Sequence, residues 1–196
     1  IREAVVAALP APRLAAHHLA LGVALEQAGH AEVEALARHF REGKDVARAR
    51  RYTLLAAEKA SKALAFMRAA HLYREALELD RNAEDAWLVE RKVADSLCNG
   101  GRGGEAWKVY RSAARIAPRA DARDLERLAA EHACRTGHID EGLALFREVT
   151  RAHGIRMATS PAEALISLLA RRAVVRVRGL SFTERKESDV PREQLQ

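Results

Sequence analysis

The chain has 196 residues and 48% hydrophobic content, enough for a sizeable core and one or two domains. Its net charge is +6 and its isoelectric point about 9.7, with arginine supplying 27 of the 33 basic residues. No run of 18 apolar residues occurs, which excludes a membrane-spanning helix, and two cysteines, Cys98 and Cys134, are too few for a disulfide framework, so a reducing, cytoplasmic compartment is expected.

A basic chain can serve nucleic acid. Here, however, acids are interleaved with the arginines, as in "EALARHFREGKDVARARR" (34–51), and mixed signs mark a solvated surface. Only "RRAVVRVR" (171–178) is densely basic without an acid. The start at Ile1 lacks a cationic segment followed by a long apolar run, so a signal peptide is not expected; with the polar ending it reads as a piece of a longer protein.

In chain order, "IREAVVAALP" (1–10) predicts a short helix stopped by Pro10 and Pro12. "PRLAAHHLALGVALEQAG" (12–29) predicts a second, ending at Gly29. Its adjacent His17 and His18 point in different directions, which favours packing or capping over metal ligation. "EVEALARHFREG" (32–43) predicts a third, with Leu36, Ala37 and Phe40 on one face and Gly43 at its end.

From residue 50 a repeat sets in. Ala69, Tyr73 and Ala76 of "MRAAHLYREALELD" return 37 residues later as Ala106, Tyr110 and Ala113, and 36 further on as Gly142, Phe146 and Val149. Ala57, Ala94 and Ala130 keep the same phase, as do the turn positions Leu64, Gly101 and Gly137. Small residues let helices approach closely, and one aromatic fills the gap that remains. A single helix pair cannot bury its apolar face, whereas stacked pairs make a continuous core. The spacing therefore predicts an all-α chain of helix-turn-helix units, an α-solenoid. Cys98 and Cys134 fall at equivalent positions 36 apart and are expected to be small, buried or half-buried and unbonded.

Beyond the repeat, "SPAE" (160–163) places Ser160 at an N-cap, Pro161 at the first helical position and Glu163 at the third. That helix is expected to run to Arg178 and stop at Gly179. "TERKESDVPREQLQ" (183–196) is polar and expected to be loosely ordered.

No catalytic signature is present. "NGGRGGEA" (99–106) lacks the Lys-Ser/Thr of a phosphate loop and follows a helix; no G-x-S-x-G, kinase catalytic loop or D-F-G occurs. Neither enzymatic activity nor a cofactor is expected. His132, Cys134 and His138 come nearest to a metal cluster, but Gly137 breaks the helix between the last two and zinc would need further ligands. The nine aromatics leave too few outside the repeat for a base-stacking platform. Trp87 and Trp107 lie off the repeat positions and are read as packing between adjacent helices, with exposed contact anchors as the alternative.

The unit over 87–118 resembles the tetratricopeptide repeat: Ala94 on helix A, Gly101 at the turn, Ala106, Tyr110 and Ala113 on helix B, and Pro118 at the end. Residues 123–154 match less closely, and 50–81 more loosely still, with Leu64 at the turn. Thr53, Glu90 and Glu126 replace the helix-A aromatic, and the period is 36–37 instead of the family's 34. The resemblance implies a right-handed solenoid over 31–158, with leading helices over 1–30 and a further helix and polar segment over 159–196. It also implies a concave face lined by helix A: Arg51, Glu58 and Lys62, then Arg91, Asp95 and Asn99, then Arg127, Glu131 and Arg135. Such a mixed stripe, with bases in every repeat, suits an acidic peptide, an acidic protein surface or the parent's own domains. Equally, it could be a solvated face making only intramolecular ion pairs.

A second resemblance rests on Leu36, Ala37, His39, Phe40 and Gly43, an L-A-x-H-F-x-x-G-like motif before repeats, and on the ending "VRVRGLSFTERKESDVPREQL". Both are similar to the helical region following the ATPase module in large bacterial signalling proteins, often fused to a serine/threonine kinase. This implies a non-catalytic interaction or sensor scaffold, with any kinase or ATPase chemistry upstream of Ile1. The alternatives are the sensor region of a large ATP-dependent transcription activator and, third, a nucleic-acid-binding helical repeat.

Overall fold

The structure, a computed structural model, describes residues 9–152 and 154–180. Among the described residues it is all-α: α1 (Ala11–Ala28), α2 (Val33–Glu42), α3 (Val46–Lys62), α4 (Phe66–Leu79), α5 (Ala86–Asn99), α6 (Gly103–Ile116), α7 (Arg119–Arg135), α8 (Ile139–Ala152) and α9 (Pro161–Arg178). The short helix expected over 1–9 falls mostly outside the described residues, as does the polar segment over 183–196. Two compact units divide the chain, 1–153 with α1–α8 and 154–196 with α9.

In the first unit each helix packs chiefly on the next in sequence. Four of its connections are the same three-residue turn, at 43–45, 63–65, 100–102 and 136–138. In each, the last turn N–H reaches the carbonyl five residues back: Asp45 to Phe40 (3.0 Å), Ala65 to Ala60 (2.9 Å), Arg102 to Leu97 (2.7 Å) and His138 to Ala133 (2.9 Å). This closure satisfies carbonyls left open at the helix end and needs a left-handed middle residue. Lys44 (φ 61°), Leu64 (φ 60°), Gly101 (φ 78°) and Gly137 (φ 86°) hold that position. Gly43 ends its helix as expected, at the C-cap after Glu42, with φ −76°. Its role is steric, because a Cβ there would lie 2.8 Å from the Leu19 backbone nitrogen of α1.

Small residues line the helix contacts. Ala57, Ala94 and Ala130 are fully buried, as are Ala69, Ala76, Ala106 and Ala113, with Tyr73 and Tyr110 buried between the last four. In α8 the corresponding Gly142 is buried, while Phe146 and Val149 are half-buried. Val93, Leu97 and Leu125 fill the centre of this core. A second cluster joins α1 to α4 through Leu36, Ala37, Phe40, Ala49 and Tyr52, with the Phe40 and Tyr52 rings stacked 5.5 Å apart. Trp107 is buried, and Trp87 is half-buried against the first cluster; both are packing residues.

In the second unit Ser160 caps α9, its Oγ accepting from the Glu163 N–H at 3.2 Å. The Glu163 carboxylate accepts from Thr159 N–H and Oγ at 2.8 Å, one residue earlier than the usual reciprocal cap. Gly179, at φ 76°, ends the helix, and Leu165, Ile166, Leu168, Leu169 and Val177 are exposed along it.

Candidate protein-binding face on alternate helices

Side chains also join helices that are two apart in the first unit. Glu26 of α1 accepts from the Tyr52 hydroxyl of α3 at 2.5 Å. On one side, Glu34 and Arg41 of α2 pair with Arg68 and Glu75 of α4, the latter at 2.7 Å. On the other, Glu58 of α3 meets Lys92 of α5 at 2.8 Å, and Arg91 of α5 meets Asp124 of α7 at 3.6 Å. Cys98 Sγ of α5 lies 3.4 Å from His132 Nε2 of α7. From α2 onward, these partners lie 33–34 residues apart in sequence. The odd-numbered helices α3, α5 and α7 thus present one contiguous charged face.

Five of the nine residues expected to line that face form a single network. Asp95 lies 4.0 Å from Arg91, which continues to Asp124; Asp124 holds Arg127 at 2.8 Å, Arg127 holds Glu131 at 3.2 Å, and Glu131 holds Arg135 at 3.3 Å. Glu58 belongs to a separate pair with Lys92. Arg51, Lys62 and Asn99 are exposed. Among the described residues neither Arg51 nor Lys62 has an ion-pair partner, although the Arg51 guanidinium lies 5.5 Å from the Tyr52 ring. The paired charges cancel, so Arg51 and Lys62 leave this face with a basic excess at α3.

Three contributors escaped sequence reasoning: Lys92, Asp124 and Tyr110. Tyr110, a helix-B core residue, donates to Asp95 Oδ1 at 2.6 Å and stacks on His132 at 5.6 Å. Burial, reinforced by the Asp95 carboxylate, pushes its phenol far above the ordinary value, so it stays a donor. At Lys92 burial disfavours the charge, but the hydrogen bond and charge of Glu58 prevail and raise its pKa. A depression lined by Ala47, Arg50, Arg51, Leu54, Leu55 and Glu58 opens on α3 beside the unpaired Arg51.

His132, Cys134 and His138 do not converge. His132 faces Cys98 and Tyr110, whereas His138 lies 5.7 Å from the Trp107 ring and Cys134 sits beneath Gly142. Among the described residues no three His, Cys, Asp or Glu side chains are placed to share a metal ion. Both cysteines are free and half-buried, and burial raises the Cys98 thiol above its ordinary pKa, the opposite of an activated nucleophile.

No protein-family model matches the chain, and neither does any curated protein.

Proposed function

We propose that α1–α8 form a right-handed, tetratricopeptide-like solenoid without catalytic activity, whose face on α3, α5 and α7 binds an acidic protein segment. The observation that carries this reading is that face: three alternate helices held side by side by charged pairs, with Arg51 and Lys62 unpaired among the described residues. Four identical turns and the recurrent small–aromatic–small burial support the repeat architecture. The setting we propose, a sensor scaffold within a bacterial kinase–ATPase signalling protein acting in the cytoplasm, rests on the resemblance carried by Leu36, Ala37, His39, Phe40 and Gly43. Among the described residues, no helix is long and apolar enough to cross a membrane.

Site-resolved photo-crosslinking tests the binding face. A benzophenone amino acid replaces Arg51, Asn99 or Arg135 on this face, or the exposed Arg74 or Arg111 on α4 and α6, in the full chain incubated with lysate of the source organism. A protein adduct from the first three positions only is expected, with the Asn99 and Arg135 adducts lost on Arg51→Glu with Lys62→Glu. Equal adducts from all five would remove the assignment of the face. Nuclease-sensitive adducts would replace a protein partner with nucleic acid.

A further inference from the structure

His18 of α1 and His39 of α2 face each other with their Nδ1 atoms 3.0 Å apart and ring centroids 5.2 Å apart. One Nδ1 must carry a proton and the other must be bare for this hydrogen bond to exist. His39 is only 9% exposed and His18 is half-buried. Among the described residues no carboxylate lies within ion-pair distance of either ring; the one histidine so paired is His71, with Glu75. The surrounding charges are positive or already committed. Arg38 of α2 acts against a charge on His39; Arg41 of α2 is held by Glu75 of α4; Arg48 of α3 lies between Asp45 and Glu26 of α1. Among the described residues no carboxylate is placed to stabilise two imidazolium ions.

The helices cannot relax around such a pair either. Gly22 lies one turn beyond His18, and a Cβ there would stand 3.2 Å from the Phe40 ring and 3.4 Å from the His39 Cβ. Gly43 lies one turn beyond His39 and touches the Leu19 backbone in the same way. Two close-contact points therefore bracket the histidines and hold the α1 and α2 backbones close on either side of them.

We propose that the His18–His39 contact is an acid-sensitive latch: when both rings are protonated, α1 leaves α2 and uncovers the apolar surface around Leu36 and Phe40. Burial, then the proximity of His18 and Arg38, hold the His39 pKa below the ordinary histidine value. With a folded-state value below the unfolded one, the stabilisation is complete above about pH 6.5 and is lost as pH falls from there toward the folded value.

Hydrogen exchange of the full chain, corrected for intrinsic rates, follows each helix between pH 7 and pH 5. Protection in α1 is expected to fall by about tenfold or more, the equivalent of one pKa unit, while α5–α7 keep theirs. His18→Gln retains a hydrogen-bonding amide that takes no charge, and should move the loss to lower pH; the double change with His39→Gln should abolish it. An unchanged acid loss of α1 in the double variant would overturn the latch. If the variants do not fold, imidazole titration of the wild-type chain decides. The latch requires His39 to protonate below the ordinary histidine value, and protonation of His39 at or above that value would exclude it.

Discussion

Leu64 occupies a backbone conformation that glycine holds at the equivalent Gly101 and Gly137. A left-handed residue with a Cβ costs roughly 1–2 kcal/mol, and Leu64 is 72% exposed, so its side chain returns little. Leu64→Gly should therefore stabilise the chain by about 1 kcal/mol, read as a higher urea midpoint at constant slope. Gly142 predicts the reverse. A Cβ there would lie 2.3 Å from Cys134 Sγ and 2.9 Å from the Cys134 backbone nitrogen. Backbone on the far side cannot yield, so Gly142→Ala should cost roughly 1–3 kcal/mol. Spacing alone marked Leu64 as the turn equivalent and Gly142 as a small-residue position. Nothing in the sequence marks Lys44, because a lysine carries no left-handed signature; Gly43 was legible as the helix end, but its contact with Leu19 was not.

Between elements, the joined side chains of alternate helices lie 33–34 residues apart from α2 onward, whereas the repeat-equivalent positions lie 36–37 apart. Glu58 and Arg91 thus meet partners three residues before their own equivalents in the next pair, Asp95 and Arg127. Sequence equivalence pointed to Glu58, Arg91 and Arg127 but missed Lys92 and Asp124, their true partners, since that offset comes from how the helices stack. Glu58 and Lys92 side chains are each about 40% exposed, so screening limits their pair; a double-mutant cycle to alanine should return a coupling of no more than about 1 kcal/mol. The hydroxyl of Tyr110 was likewise hidden, as the sequence shows an aromatic core position and not its reach to Asp95. Tyr110→Phe should cost about 1 kcal/mol of stability.

At the scale of the whole molecule, the all-helical character of the described residues was legible from periodicity, and the helix starts and stops at Gly29, Ser160 and Gly179 were legible from turn and cap chemistry. The L-A-x-H-F-x-x-G-like run was legible only as a resemblance. In three dimensions Leu36, Ala37, His39 and Phe40 are buried, and Gly43 meets α1. Its histidine partner, His18, lies 21 residues away on another helix, beyond any local pattern. Packing that runs from each helix to the next implies stability set mainly by neighbouring pairs. Hydrogen exchange of the wild-type chain against Gly142→Ala measures this most directly. A series of helix pairs predicts that protection collapses in α7 and α8, weakens in α5 and α6, and persists in α1–α4. Equal loss across all eight helices would contradict it and would describe a single cooperative bundle.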